Sequence, residues 1–322
     1  MQTDQKLLTR NHNLDLLKML CAFLVIVVHF GQESHHFIRS LGGFAVPIFM
    51  ILSFYFFWQK ITSIDIAKRI KKLFIPMVGW AIIYFIVYKV FLGINGITIS
   101  SLIWQTITGH VDKLNASMWF QNNLIILTIF TFIIFKKFKN NFFKIMLCCC
   151  FLAYLLEYSD INYILYENLR SRFKYPLGRL TEMVPYMVIG LVLAKYNILN
   201  YFRGKYTSWW LALFIFMNSF IFINAPKGFG YGGIKYAIMS VLLILLFNSL
   251  PQNSKIYRNT LILCTQNTLG IYCIHRLVEK ILHPYVFIEY NLSYCLIIFV
   301  VSWFVCYSIS KIPSKNIQAL VK

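Results

Sequence analysis

Ten apolar runs, each of about 16 to 20 residues, alternate with short polar segments, and no other feature limits the fold of this chain so strongly. They fall at 14–31, 41–58, 73–92, 117–135, 143–158, 181–196, 208–224, 233–250, 264–282 and 292–311. About 20 helical residues, rising 1.5 Å each, cross the hydrocarbon core of a bilayer. Lipid offers the backbone no hydrogen-bond partner, so each run has to satisfy its own amides as a helix. The expected fold is therefore all-α: a polytopic integral membrane bundle of about ten transmembrane helices. It would form a single domain over 1–322, with no appended soluble domain. The run at 143–158 is short and Pro185 and Gly190 interrupt 181–196, so nine or eleven spans remain alternatives. No Ala-x-Ala-type processing site follows the first run, which is expected to be retained rather than cleaved as a leader.

Composition agrees with a membrane protein. Hydrophobic residues make up 59% of the chain and charged residues 13%, with a mean hydropathy of +0.65. The net charge of +20 invites a nucleic-acid reading, but the basic residues are scattered over short segments between apolar runs and form no basic domain. With ten spans and an internal N-terminus, twenty of the 31 Lys and Arg residues lie on the inner side, against three of the 11 acids. The positive-inside rule then places both termini in the cytoplasm. All eight cysteines sit in apolar runs, as small hydrophobes do. The consecutive Cys148, Cys149 and Cys150 point about 100° apart on a helix and cannot chelate one ion, so no metal site is expected.

Ionisable residues inside apolar runs are costly enough to mark candidate functional positions. Lys18 and His29 share the first run; eleven positions separate them, about 20° apart around a helix and about 16 Å along it. An imidazole suits general-base removal of a hydroxyl proton, and Glu33, at i+4 from His29, could hold its tautomer as the acid of a triad does. The competing reading makes His29 a packed histidine and Lys18 a snorkelling cation. His35 and His36 follow; adjacent histidines could bind a metal only with partners the sequence does not identify, and they are read as solvated loop residues. Lys68, Arg69, Lys71 and Lys72, ahead of Pro76, could hold the phosphates of a nucleotide-like donor, or serve only topology and anionic lipid. His275, with Arg276 beside it and Glu279 at i+4, either lines a cavity or caps a polar packing site.

The order of these features resembles acyltransferase family 3. LDLLKMLCAFLVIVVH is similar to that family's Arg-x10-His pair in the first helix, with Lys18 in place of Arg. FAVPIFMILSFYFF resembles its second-helix segment ending in Ser-Gly-Tyr or Ser-Gly-Phe, with Phe54 after Ser53 in place of glycine. KRIKKLFIPMVGW resembles its basic approach to a proline. SMWFQNNLI is similar to its Trp-Phe-Leu segment, with Gln121 in place of leucine, and NTLGIYCIHRLV to its late Tyr-Leu-x-His segment. The resemblance implies O-acylation, generally O-acetylation of a bacterial cell-surface or exported polysaccharide, at the bacterial cytoplasmic membrane. Acetyl-CoA or another acyl-CoA would be the co-substrate, with no permanently bound cofactor. It places Lys18, Lys68, Arg69 and Lys72 at the donor, His29 and Glu33 at the chemistry, and His275, Trp119 and Ser53 around the substrate. Expected partners are membrane lipid and a glycan or lipid-linked glycan acceptor, with no nucleic acid; association of copies stays open. A polysaccharide flippase or polymerase, or a proton-coupled transporter using His29 and Glu33, is the alternative class.

Overall fold

The computed structural model describes residues 11–30, 41–94, 96–108, 118–158, 176–223, 234–251, 265–285 and 291–321. These are helical, with no strand among the described residues. The main helices are α1 (His12–Phe30), α2 (Ala45–Trp58), α3 (Ile66–Ile86), α4 (Ile99–Thr108), α5 (Met118–Lys137), α6 (Phe142–Tyr158), α7 (Pro176–Lys195), α8 (Thr207–Ile223), α9 (Ile234–Ser249), α10 (Thr268–Leu282) and α11 (Leu292–Lys311). Every one of the ten apolar runs coincides with one of them. Five helical stretches are long and apolar enough to cross a membrane: His12–Phe30, Ile66–Phe91, Met118–Lys137, Lys139–Leu156 and Leu292–Lys311. Ala45–Trp58, Thr207–Met217 and Ile234–Ser249 are shorter apolar helices.

Local chemistry sets several boundaries. The side chain of Asn11 accepts from the amides of Asn13 (3.1 Å) and Leu14 (3.3 Å), closing the exposed amide end of α1, and Asp15 complements the helix dipole there. Asp65 caps α3 by accepting from the Lys68 amide at 3.0 Å. This cap starts α3 seven residues before its apolar run, so Lys68, Arg69, Lys71 and Lys72 stand on helical turns and Pro76 lies inside the helix. α3 ends in a π-helical turn, Val87–Phe91.

Packing orders the bundle. α1 and α2 run antiparallel: Gly42, just before α2, abuts Leu24 and Val28 of α1, while Lys18 lies over the ring of Phe56 near the end of α2. α2 lies against α7 so closely that a Cβ on Gly190 would collide with the carbonyl oxygen of Ile51. Small residues permit such approach between membrane helices. At the start of α1, Asn11 donates to Asn248 (2.8 Å), Asn13 to the Leu250 carbonyl (2.8 Å) and Asn248 to the Leu199 carbonyl (2.6 Å), so three segments meet on a buried amide cluster. The chain after α11 turns back inside, where Trp80 of α3 donates to the Leu320 carbonyl at 2.8 Å and Val321 abuts Gly270 of α10.

Candidate functional site

α1 and α10 bring together two histidines 246 positions apart in sequence. The rings of His29 and His275 lie 5.6 Å apart between centroids and within 14° of parallel. Phe30 presents its edge to His275 at 6.1 Å, and Tyr272, one turn earlier on α10, tilts against it at 6.1 Å. His275 is fully buried and His29 partly so. Arg276, the next residue of α10, reaches across to α1 and places Nη2 2.9 Å from Nδ1 of His29. An imidazole pair bonded to a guanidinium is a costly thing to assemble in an apolar bundle, and packing alone does not require it.

The second ring of neighbours comes from α2, α3 and α5. Tyr272 packs against Phe120 (5.6 Å) and Phe49 (6.1 Å), forming an aromatic wall. Gln121, the departure from leucine, donates to Sγ of Cys273 at 3.1 Å, and its Oε1 is buried with no partner among the described residues. Tyr84 of α3 inserts its hydroxyl into the backbone ladder of α10: it donates to the Cys273 carbonyl (2.9 Å) and accepts from the Leu277 amide (3.0 Å). Those two groups would otherwise be an i, i−4 pair, so the turn carrying His275 and Arg276 is opened at its centre.

Trp119 stands one ring away from this centre, edge-on to Phe120 at 6.2 Å, with the guanidinium of Arg179 5.3 Å over its face. Arg179 is also paired with Glu182 at 3.1 Å. Ser53 lies elsewhere, near the far end of α2, where its carbonyl accepts from Nη2 of Arg69 at 3.2 Å. The guanidinium of Arg69 covers the ring of Phe57 at 4.7 Å, and its Nε is buried without a partner among the described residues. Lys18 reaches the same end of α2, 5.7 Å over Phe56, and pairs with Asp15 at 2.6 Å. Lys68, Lys71 and Lys72 are exposed on the outer side of α3.

The site thus has two poles. His29 and His275 form one. Lys18, Arg69 and Ser53 form the other, about 16 Å away along α1. Glu33, His35 and His36 lie outside the described residues. Sequence reasoning singled out Arg276 only as a neighbour of His275; its bond to His29 joins residues 247 apart, and its sole local sign was a cation in an apolar helix. Tyr84 carried no sign at all, being one of 20 tyrosines. Among the described residues no cluster of three or more His, Cys, Asp or Glu could hold a metal ion.

The fold and site define a helical membrane-type bundle with two stacked imidazoles at one pole and cations at the other. The chain belongs to acyltransferase family 3: a family model described as an acyltransferase domain matches residues 11–311, nearly its whole length. No curated protein and no solved structure matches it.

Proposed function

We propose that this chain is a membrane O-acyltransferase that moves an acyl group, most simply acetyl, from a coenzyme A thioester to a hydroxyl of an exported or cell-surface glycan. The observation that carries the reading is the pairing of His29 with His275 at one pole and the gathering of Lys18 and Arg69 about the end of α2 at the other, about 16 Å apart along α1. With ten spans and both termini in the cytoplasm of a bacterial inner membrane, the cationic pole faces the cytoplasmic donor. Coenzyme A is long and thin, with phosphates at one end and the reactive sulfur at the other. Its phosphates fit Arg69, whose buried Nε has no acceptor among the described residues, and Lys18, with the exposed Lys68 and Lys72 steering the approach. Its pantetheine arm would run along α1 so that the thioester meets the imidazoles.

At that pole the imidazoles handle the proton that leaves the acceptor hydroxyl and returns to the departing thiolate. Trp119, separated from His275 by the rings of Phe120 and Tyr272, offers an aromatic face to the apolar C–H side of a sugar ring. Membranes carrying the protein, given labelled acetyl-CoA and a candidate glycan, should transfer label to the glycan as an ester visible by mass analysis. His29→Ala should lower that transfer by about 10²-fold or more, as removal of a group that acts on the transition state does. Transfer at the wild-type rate in His29→Ala would refute the site. A flippase, polymerase or transporter would leave the glycan unacylated.

A further inference from the structure

The hydrogen-bond partners of the two rings differ, and the difference divides their chemistry. A guanidinium only donates, so the Nδ1 of His29 facing Arg276 at 2.9 Å holds a lone pair, and the proton of the neutral ring sits on Nε2. On His275 the partner is the reverse kind. Its Nδ1 lies 3.3 Å from the carbonyl oxygen of Ile271, which only accepts, so that nitrogen carries the proton. Nε2 of His275 is then a bare lone pair, and it is buried with no partner among the described residues. The stacked pair therefore offers one N–H donor, on His29, and one proton acceptor, on His275.

We infer that His275 is the general base and that His29, held as an Nε2–H donor by Arg276, is the electrophilic group that hydrogen-bonds the thioester carbonyl oxygen. The inference rests on the acyltransfer reading above and assigns the catalytic roles within it. In the forward step the acceptor hydroxyl gives its proton to Nε2 of His275 while its oxygen bonds the thioester carbon. The carbonyl becomes a tetrahedral oxyanion facing the Nε2–H of His29, whose polarity is reinforced by the cation on Nδ1. Collapse breaks the carbon–sulfur bond, and the leaving thiolate takes the proton back from His275. The products are an ester and free thiol, with both imidazoles restored. A backbone carbonyl on Nδ1 is the arrangement that fixes a basic Nε2 in other acid–base histidines. Arg276 is a positioning residue: it touches neither substrate but sets which nitrogen of His29 bears the proton.

Hydroxylamine separates the roles, because as a neutral nucleophile it attacks a thioester without prior proton removal but still needs the carbonyl polarised. Purified protein in lipid discs would be given acetyl-CoA with either glycan or hydroxylamine. His275→Gln should lose about 10²-fold or more of glycan transfer while keeping hydroxamate formation within a few-fold of wild type; His29→Leu, which leaves no N–H for the oxyanion, should lose both. The opposite pattern, or equal loss or equal retention of both reactions in both variants, overturns the assignment. Nitrogen-15 spectra of labelled histidine in the wild-type protein, assigned with the two variants, provide a readout independent of catalysis. They should show His29 protonated on Nε2 and His275 on Nδ1, and Arg276→Met should let the His29 proton redistribute without moving that of His275. The reverse tautomers, or a His29 signal indifferent to Arg276→Met, would sink it. A wild-type protein that consumes acetyl-CoA with neither acceptor would instead remove the acyltransfer reading, and the catalytic roles with it, leaving only the tautomers to stand.

Discussion

Lys18 illustrates how one residue can satisfy both a structural and a chemical demand. Its stem crosses an apolar helix and its ammonium is held between Asp15 and the face of Phe56, which is how a cation near a membrane boundary is stabilised whether or not it meets a ligand. The ligand role makes a separate demand, since a phosphate contact needs charge. Lys18→Arg should therefore be tolerated, whereas Lys18→Met should raise the donor KM by about tenfold or more with little change in kcat, as loss of a charge-assisted contact remote from the reacting carbon does. An unchanged KM in correctly inserted Lys18→Met protein would remove Lys18 from the donor site. Arg69 is less replaceable: its planar group bonds the Ser53 carbonyl and stacks on Phe57, so Arg69→Lys should lose stability as well as donor affinity, measured as thermal unfolding in detergent and as KM. At this scale the sequence revealed which residues were out of place in lipid, namely Lys18, His29, His275 and Arg276. It did not reveal their partners, because a bond between α1 and α10 depends on how two helices rotate about their axes, and Lys18-to-His29 spacing says nothing of α10.

Helices were legible where apolar length decided them and illegible where caps or amphipathicity did. The ten runs became helices because lipid-like surroundings leave them no alternative, but α3 begins early at the Asp65 cap, and α4, with its buried Gln105 and Thr106, was too short and too polar to register as a span. Pro185 sits within α7 without ending it. Two elements carry direct tests. Tyr84→Phe deletes the hydroxyl that bridges Cys273 and Leu277; it should cost about 1–3 kcal/mol in stability. The freed carbonyl and amide of α10 can then bond each other, turning His275 and Arg276 away from α1 and lowering glycan acylation more than donor binding. Wild-type acylation by Tyr84→Phe would show that the opened turn is irrelevant to the site. Gly190→Val places two methyl groups where α2 and α7 meet backbone to backbone, so it should unfold the protein or lower its melting temperature sharply, whereas the same change at exposed, left-handed Gly204 strains only a surface turn.

The molecule as a whole is held at one end by the Asn11, Asn13 and Asn248 cluster and by the returning segment that seats Leu320 and Val321 against α3 and α10. The first feature places the start of α1 and the end of α9 at the same end of the bundle as Lys18, whereas the second seats Leu320 and Val321 deeper, beside Trp80 and Gly270 and nearer the turn that carries His275. The end that carries Lys18 should be cytoplasmic if the donor is coenzyme A, and charge argues the same way. Residues 136–144 carry four lysines and no acid, while 157–180 mixes Glu157, Asp160 and Glu167 with Arg170, Arg172, Lys174 and Arg179, so only the first segment obeys the inside bias strongly. Single cysteines at Lys139 and at Tyr166, which lies outside the described residues, would be introduced into a variant lacking the native eight. An impermeant thiol reagent applied to intact cells should leave residue 139 unlabelled and label residue 166, and both should react once the membrane is opened. Equal labelling at the two positions in intact cells would mean that α6 does not cross the bilayer. An odd number of spans would then put the residues after α11 on the outer face, away from the start of α1, a separation that the contact of Trp80 with Leu320 and the burial of Val321 against α10 would have to survive.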